Sequence, residues 1–248
     1  MRTALLLSGH LRTYKECLKS HESNILSVLN PDVFVHTWDE TEAKNHHNSD
    51  KAIKVSDDDV HNLQKVYSPV NYKIETQNLE NIENYHKLAE CNVAKSMFRV
   101  YSMMKEHEND KQFKYDLIVR LRPDIFIVNK ITDEYSDLDE MEVLYYGNLS
   151  HNGPVSTTDE CIQKFHNYRA LDCFNFSTKQ SAPFVHGIYP HIETYLNKDK
   201  YRHGVLLDYA LDNGVKPVIS DNFVFKNEYS FPAISERVFS KLLSVNSE

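Results

Sequence analysis

The chain has 248 residues, of which 41% are hydrophobic and 26% are charged, a balance typical of a globular protein with a sizeable core. A formal net charge of −8 without any basic stripe argues against a general nucleic-acid binder, although a local arginine cluster could still hold an anionic small molecule. The four cysteines are scattered and form no C-x-x-C pair, which argues against a zinc or disulfide framework and indicates reduced, structural thiols.

The apolar runs of the sequence bear on where the protein resides. The first run, at positions 4–7, is too short for the core of a signal peptide, and no later run is long enough to cross a bilayer. We therefore expect a cytoplasmic protein with no transmembrane segment. The sequence predicts nothing about its oligomeric state.

The first forty residues predict a βαβ unit. "TALLLSG" is an apolar run that ends in a turn signal, and residues 13–29 place apolar side chains on one helical face. Asn30 ends that helix, because a residue that precedes proline avoids the helical conformation. "DVFVHTW" then has the pattern of a second buried strand. A strand, a helix and a strand joined in this way predict two parallel strands and a right-handed connection.

The following ninety residues predict a loop, a short strand, a long helix and another strand. Positions from 39 to about 59 are polar and predict a loop, and "NYKIET" predicts the short strand. The helix covers about 84–106, with Met97 and Val100 on its buried face. "YDLIVRLRPDIFIV", residues 115–128, predicts a strand that bends at Pro123, because proline is tolerated only at an edge or a break.

The second half of the chain predicts shorter elements. The strands are "EVLYYGN", "CFNFST" and one that begins at "KPVIS", and the helices are "PHIETYLN", "GVLLDYALDNGV" and the tail from Pro232. No repeat or low-complexity tract is present. Together the elements predict an α/β fold, a single domain over residues 1–248 with a mainly parallel central sheet flanked by helices and a smaller, β-containing lobe in the second half.

Polar residues follow the first predicted strand, and ligands in open α/β sheets bind beyond the carboxyl ends of the strands. In "SGHLR", Ser8 and Gly9 allow a tight turn and Arg12 opens the following helix. Backbone N–H groups and one guanidinium suit a phosphate. An ordinary surface turn is an equally good interpretation of this motif alone.

The second strand ends in "HTWDE", which contains the only tryptophan of the chain. The Trp38 ring with His36 and Thr37 beside it would suit a nucleobase or a sugar. Taken alone, the motif favours a simpler interpretation, in which Trp38 is a core residue and Asp39 caps a turn.

The interrupted strand carries the strongest functional signal. Arg120 and Arg122 could neutralise phosphates, and Asp124 could hold a divalent metal that bridges a diphosphate. A buried ion pair that braces the sheet is the alternative, but such pairs are a poor reason to place three charges in one strand. On the preceding helix, Lys95 and Arg99 share a polar face that could add cations to the same cleft, or simply be solvated.

The motifs and their order resemble a group of viral and bacterial nucleotide-sugar glycosyltransferases of the GT-A type, including the chlorella-virus kind. "LLLSGHLRTY", "NILSVLNPDVFVHTW" and "NVAKSMFRVYSMMK" before "YDLIVRLRPDIFI" carry the resemblance, which covers about residues 3–128 and fades afterwards. The resemblance implies transfer of a hexosyl or deoxyhexosyl group from a nucleoside diphosphate sugar to an acceptor glycan, in the synthesis of a surface polysaccharide or glycan. It also implies a nucleotide-binding half, 1–128, and an acceptor-side half, 129–248.

The resemblance assigns site residues by position. In the place of the metal-binding D-x-D motif stand Arg122, Pro123 and Asp124, of which only the aspartate matches. Two alternatives therefore stay open: Asp124 holds a Mn²⁺ or Mg²⁺ ion, or Arg122 takes over part of the charge neutralisation. The residues expected to cradle the nucleotide are Ser8, Gly9, Arg12, His36, Thr37 and Trp38, with Arg99, Arg120 and Arg122 as further donor-binding cations.

An inverting transfer needs a carboxylate that deprotonates the acceptor hydroxyl. Asp172 resembles the aspartate that starts the acceptor-side strand of these proteins, and Asp208 and Asp221 are the next candidates; each is otherwise a cap or a surface carboxylate. A retaining mechanism stays open. The alternatives to a glycosyltransferase are a sugar nucleotidyltransferase, which "SGHLR" fits poorly, and a nucleotide- or glycan-binding module with a degenerate site.

Overall fold

The computed structural model describes residues 1–41, 53–77, 85–148, 173–198 and 205–226. The helix predicted from Pro232 lies outside these ranges.

The described strands form one mixed sheet of eight strands in the order β3-β2-β1-β4-β7-β6-β8-β5. Strands β3, β2, β1 and β4 are mutually parallel, β7 is antiparallel to β4 and β6, β8 is parallel to β6, and β5 is antiparallel to β8. The predicted α/β fold with a mainly parallel sheet is confirmed, and both halves of the chain contribute strands to that sheet. The bounds are β1 (Thr3–Ser8), β2 (Asp32–Trp38), β3 (Asn71–Glu75), β4 (Leu117–Leu121), β5 (Phe126–Ile127), β6 (Glu142–Asn148), β7 (Phe174–Thr178) and β8 (Lys216–Lys226).

The helices cover both faces of this sheet. The described α-helices are α1 (Tyr14–His21), α2 (Ser27–Leu29), α3 (Asp57–Tyr67), α4 (Tyr85–Lys111), α5 (Ala182–His186), α6 (Ile192–Lys198) and α7 (Val205–Asp212). A π-helical stretch, Glu22–Leu26, joins α1 to α2, and a 3₁₀ turn, Tyr189–His191, leads into α6. The helix predicted over residues 13–29 is therefore present, and it ends at Asn30 in the left-handed conformation.

Helix α3 was not predicted, and the expectation of a loop up to about residue 59 is wrong at its end. Ser56 caps this helix: its hydroxyl accepts from the Asp59 N–H group, and the Asp59 carboxylate accepts from the Ser56 N–H group in return. Three acidic residues in the first turn, from Asp57 on, also favour a helix start at this point. The sequence S-x-x-D is the detectable signal of this capping box, hidden within a polar stretch.

Alternation along the strands divides the core between the two faces. Leu5 and Leu7 of β1 face α1 and α3, whereas Ala4 and Leu6 face α4 and α5. This period of two is what a strand geometry imposes on its side chains. A third cluster packs α5, α6 and α7 against α4 and against β6. None of the described helices is both long enough and apolar enough to span a membrane.

The predicted bend in the 115–128 strand is confirmed, because β4 ends at Leu121 and β5 begins at Phe126. The ladder between β4 and β7 continues one residue further, where the Arg122 N–H group donates to the Cys173 carbonyl at 2.9 Å. Pro123 has no N–H group to offer and so ends the ladder. The chain leaves the sheet there, beyond the carboxyl end of β4.

Helix α1 and the stretch after it hold the chain on the far side of this break. His21 contacts the Ile125 carbonyl through Nε2, and Asn24 donates its amide to the Ile127 carbonyl at 2.8 Å. The Ser20 hydroxyl accepts from the Ile127 N–H group at 3.1 Å. Side chains thus replace the sheet partners that the backbone lost at the break, as buried peptide groups require.

Candidate functional site

The carboxyl ends of β1, β2 and β4 lie side by side, because the three strands are parallel and in register. Ser8 ends β1 beside His36 of β2, and Leu7 of β1 pairs with Leu121 of β4. The segments that follow these strands therefore meet at one edge of the sheet. The carboxyl edge of a parallel sheet is the usual place for ligands.

Arg12, Arg122 and Asp124 meet at this edge, and we call them the arginine–aspartate cluster. Arg122 forms a fork on Asp124, with Nε 2.9 Å from Oδ1 and Nη2 2.5 Å from Oδ2. Arg12 donates from Nη1 to the same Oδ2 at 2.9 Å. The Asp124 side chain is fully buried, whereas those of Arg12 and Arg122 remain 13% and 14% exposed. Both arginine side chains are therefore partly exposed, beside a carboxylate that is fully buried.

The charge state of Asp124 follows from two opposing effects. Burial by itself would raise the pKa of its carboxyl group. The charges of Arg122 and Arg12, and their hydrogen bonds, outweigh that effect and hold the pKa well below its usual range. The cluster thus consists of one carboxylate and two guanidinium groups, with one positive charge in excess.

The turn after β1 packs against the arginine–aspartate cluster. Gly9 has a φ of 131°, which only glycine adopts readily, and its N–H group donates to the His36 carbonyl at 3.2 Å. A Cβ atom at Gly9 would lie 3.7 Å from carbon atoms of both Arg122 and Pro123, an ordinary contact, so the backbone angle is what requires glycine. Arg12 also has a positive φ, of 40°, which is uncommon for a residue with a Cβ atom.

His10, between these two residues, is a neutral buried histidine. Its Nδ1 atom lies 3.0 Å from the Glu40 carbonyl, which can only accept, so Nε2 accepts from the Gln77 amide at 2.9 Å. Burial, helped by the charge of Arg12, lowers the pKa of His10 to about 3. The sequence motifs did not single out His10 or Gln77. The signal for His10 was only its place within "SGHLR".

His36 and Trp38 of β2 are inside the protein. The His36 ring contacts the Ser96 hydroxyl at 2.8 Å and Glu75 at 3.3 Å, and it meets the Trp38 ring edge-on with 5.0 Å between the centroids. Burial lowers the pKa of His36 to about 4. Trp38 is only 1% exposed, so the simpler interpretation of this motif holds for it: Trp38 is a core residue.

Two other residues predicted to cradle the nucleotide are also buried. The side chains of Ser8 and Thr37 are fully closed off from solvent. Of the residues expected in the cradle, only Gly9 and Arg12 are at least partly exposed. The structure therefore places Ser8, Thr37, His36 and Trp38 as supports of the edge rather than at its open surface.

Arg99 is a residue of α4 that contacts the last residue of β3, Glu75, and it is not part of the arginine–aspartate cluster. Its Nε atom is 3.4 Å from the Glu75 carboxylate, which also contacts Lys73 and His36. Burial favours a higher pKa for Glu75, but Lys73, His36 and Arg99 together lower it to about 2. The Arg99 side chain is 42% exposed, so its charge lies at the surface beside Glu75.

Arg120 departs from the prediction that groups it with Arg122. It is 1% exposed and lies in β4 between Leu6 and Asn175, on the face that α4 and α5 cover. Its charge, after burial, is a second cause that lowers the pKa of His186, to about 3. Residues two apart share a face only within a strand, and Arg122 lies past the end of β4. The two arginine side chains therefore lie in different environments.

The candidate bases are only partly described. Asp172 lies outside the described residues, although its chain neighbour Cys173 contacts Arg122 through its carbonyl and its sulfur atom. Asp208 is half-buried on α7, where its charge helps to raise the pKa of Tyr195 after the larger effects of burial and of Asp212. Asp221 lies within β8.

A metal ion does not fit the described residues at Asp124. Both carboxylate oxygen atoms already accept hydrogen bonds from guanidinium groups, whose charge would repel a divalent cation. Within the described ranges, no group of three or more His, Cys, Asp or Glu side chains is placed to hold an ion. The alternative in which arginines neutralise the ligand is the one that this geometry favours.

No protein-family model matches the chain, and no curated protein sequence does. Among solved structures, a glycosyltransferase involved in glycosylation of the major capsid of PBCV-1 is similar, with 12% identity, a TM-score of 0.42, and coverage of 92% of this chain and 94% of that one. The 1–349 portion of S. aureus TarS is also similar, with 13% identity, a TM-score of 0.45, and coverage of 93% and 61%.

The same TarS portion in complex with UDP-GlcNAc matches with 13% identity and a TM-score of 0.45, over 91% of this chain and 58% of that one. The chain thus spans about three fifths of the TarS portion.

Proposed function

We propose that the protein transfers a sugar from a nucleoside diphosphate sugar to an acceptor glycan, with inversion at the anomeric carbon, in the synthesis of a surface polysaccharide or glycan. The observation that carries the proposal is the arginine–aspartate cluster. Its two guanidinium groups flank one carboxylate, and they belong to side chains that are partly exposed at the carboxyl edge of three parallel strands. That place and that charge suit a diphosphate.

In this proposal Arg12 and Arg122 bind the diphosphate and stabilise the charge that develops on it as the sugar leaves. Asp124 acts through them: it holds both guanidinium planes in fixed positions and does not touch the substrate itself. Fixed donors lose little entropy when a ligand binds. The cluster would thereby do the work of a bridging metal ion.

The acceptor hydroxyl needs a base on the opposite side of the sugar from the leaving diphosphate. We propose Asp172 first for this role, since it adjoins Cys173, which contacts Arg122. Asp208 of α7 is the second candidate. A fall in turnover with unchanged donor affinity in Asp172→Asn would support the assignment, and full turnover of that variant would remove Asp172 from it.

Titration calorimetry tests the donor site directly. A panel of nucleoside diphosphates and their sugars, including UDP-GlcNAc, should contain at least one ligand that binds the wild-type protein. Arg122→Gln should weaken that ligand by about 1.5–3 kcal/mol, or roughly 10- to 150-fold, because it removes charge-assisted hydrogen bonds. Lys65→Gln, which removes a charge from the exposed face of α3, is the matched control and should bind as the wild type does.

The outcomes separate the candidate functions. If no nucleoside diphosphate binds, the proposal is wrong. An Arg122→Gln variant that binds like the wild type would take the arginine–aspartate cluster out of the donor site. Binding without any transfer to a glycan or to water would indicate a nucleotide-binding module instead of an enzyme.

A further inference from the structure

A groove of about 720 Å³ lies between the first half of α4 and the segment 189–197, which includes most of α6; we call it the α4–α6 groove. Its volume falls in the range of ~300–1,000 Å³ that is usual for small-molecule sites. None of the residues that line it belongs to the arginine–aspartate cluster. The residues that matter here are Lys87, Asn92, Lys95, Tyr189, Glu193 and Asn197.

The groove opens next to the carboxyl edge of the sheet. Helix α4 contacts the end of β2 through Ser96, which meets His36, and through Lys95, whose Nζ atom lies 5.5 Å from the Trp38 ring centroid. Later residues of α4, such as Val100, pack over the middle of the sheet. The turns of α4 before Lys95 therefore lie toward the carboxyl edge, so the groove that they line is on the side of the sheet where the donor site is proposed.

The lining combines polar groups with an aromatic face. The amides of Asn92 and Asn197 can each donate and accept hydrogen bonds, and Lys87 donates to the Asn197 side chain at 3.3 Å. The Tyr189 ring is steadied by Phe98, with 6.1 Å between the ring centroids. A sugar ring needs both kinds of contact, because its hydroxyl groups form hydrogen bonds while its C–H faces are apolar.

The charges of the lining decide between an ionic and a neutral ligand. Lys87 and Lys95 line the groove, and Glu193 lines it as well. Glu90 lies close behind, since its charge acts on the Cys91 thiol of the lining. The lining thus has two lysines and one glutamate, with Glu90 behind it, so charges of both signs border the groove. Such a mixture does not select for an anion and suits a ligand that is rich in hydroxyl groups and carries no net charge.

We propose that the α4–α6 groove binds a neutral carbohydrate chain, which serves as the acceptor. The assignment rests on the proposed transferase function, because only then does a carbohydrate site beside the donor site supply the second substrate. Lys95 lines the groove and also lies over Trp38, whose ring centroid is 6.3 Å from that of His10 in the turn that carries Arg12. The sugar that accepts the transfer would lie at this end of the groove.

Binding to an immobilised array of neutral and charged glycans, in the presence of UDP, tests the groove. The wild-type protein should bind neutral members, and Asn92→Ala and Tyr189→Ala should weaken that binding by at least about tenfold, as expected for central contacts. Asn71→Ala and Tyr72→Ala make the same changes on the exposed edge strand β3 and should bind as the wild type does.

Alkylation of Cys91 gives a second readout that does not depend on variants. Cys91 lines the groove and is half-buried, whereas Cys17 and Cys173 are buried. Burial, and then the charges of Glu90 and Glu193, raise the pKa of the Cys91 thiol, so N-ethylmaleimide is applied at mildly alkaline pH. A glycan bound in the groove should slow labelling of the Cys91 peptide, as measured by mass spectrometry.

The results distinguish a failure of this inference from a failure of the proposed function. No glycan binding by the wild type, equal binding by the groove variants, a preference for charged glycans, or unchanged Cys91 labelling would each refute the acceptor groove. Donor affinity, measured by calorimetry on the same variants, should stay at its wild-type value. A wild-type protein that binds no nucleoside diphosphate would refute the transferase function whatever the groove binds.

Discussion

Replacing Asp124 by asparagine should strongly destabilise the protein. The carboxylate is fully buried and accepts three hydrogen bonds, two from Arg122 and one from Arg12. The change removes the carboxylate charge from the ion pairs with both guanidinium groups, and breaking a buried ion pair in this way costs about 3–5 kcal/mol. For a chain of this size each kcal/mol corresponds to ~2–4 °C, so we expect Tm to fall by roughly 6–20 °C.

The assay is urea unfolding and thermal unfolding of Asp124→Asn beside the wild type. Asp110→Asn, which removes an exposed carboxylate from α4, is the control and should change the stability by no more than about 0.5 kcal/mol. A loss below about 1 kcal/mol in Asp124→Asn would refute the reasoning that an ion pair braces this edge.

The stabilisation that Asp124 provides should also change with pH in a defined direction. The folded state holds the pKa of Asp124 below its unfolded value, so its stabilising effect is complete above the unfolded pKa of about 4 and is lost as the pH falls through the lower folded value. The difference between wild type and Asp124→Asn should therefore be constant from neutral pH down to about pH 5 and shrink below about pH 4. A difference that shrinks near neutral pH would point to another group.

Three further predictions concern the residues around the cluster. A chelator should leave donor affinity in calorimetry unchanged, because arginines replace the metal ion; a large loss would restore Asp124 as a metal ligand. His36 has a pKa lowered to about 4, so the wild type should lose stability as the pH falls from about 6.5 to about 4, and His36→Gln should show a flatter profile in urea unfolding. Gly9→Ala should destabilise the protein by about 1–3 kcal/mol, because alanine does not readily adopt a φ of 131°. Gly214→Ala should cost only about 1 kcal/mol, because its φ is 79° and the space around it is open. Equal losses of stability in thermal unfolding would contradict this difference.

Much of the fold can be predicted from local patterns of apolar residues in the sequence. The apolar runs of β1 and β2 and the helix between them predict parallel strands, because a crossover connection allows little else. The position of β7 in the sheet could not be predicted in the same way. Its antiparallel insertion between β4 and β6 depends on pairings far apart in the chain, for which a five-residue strand carries no local signal.

The sequence predicts which edge of the sheet carries the candidate site, but not which side chains are exposed there. Arg12, Arg122 and Asp124 meet at the carboxyl edge because each follows a parallel strand, and their role in binding a donor stays a prediction. The motif around Trp38 favoured a core residue, whereas the resemblance placed both Trp38 and His36 in the cradle. The sequence could not decide, because exposure depends on how closely α4 packs, and a residue at a strand end is compatible with either state.

The sequence "RLRPD" shows how a single proline separates charges that look equivalent. Arg120 is still within β4, so the alternation of the strand directs it to the α4 face, where it lies buried near His186. Arg122 makes the last hydrogen bond of the ladder, and Pro123 then releases the chain. Because the chain leaves the sheet here, the side chains of Arg122 and Asp124, on either side of Pro123, can form hydrogen bonds with each other at the edge. If Pro123 is what separates the two roles, Pro123→Ala should loosen the Arg122–Asp124 fork and weaken donor binding, while the burial of Arg120 stays as it is.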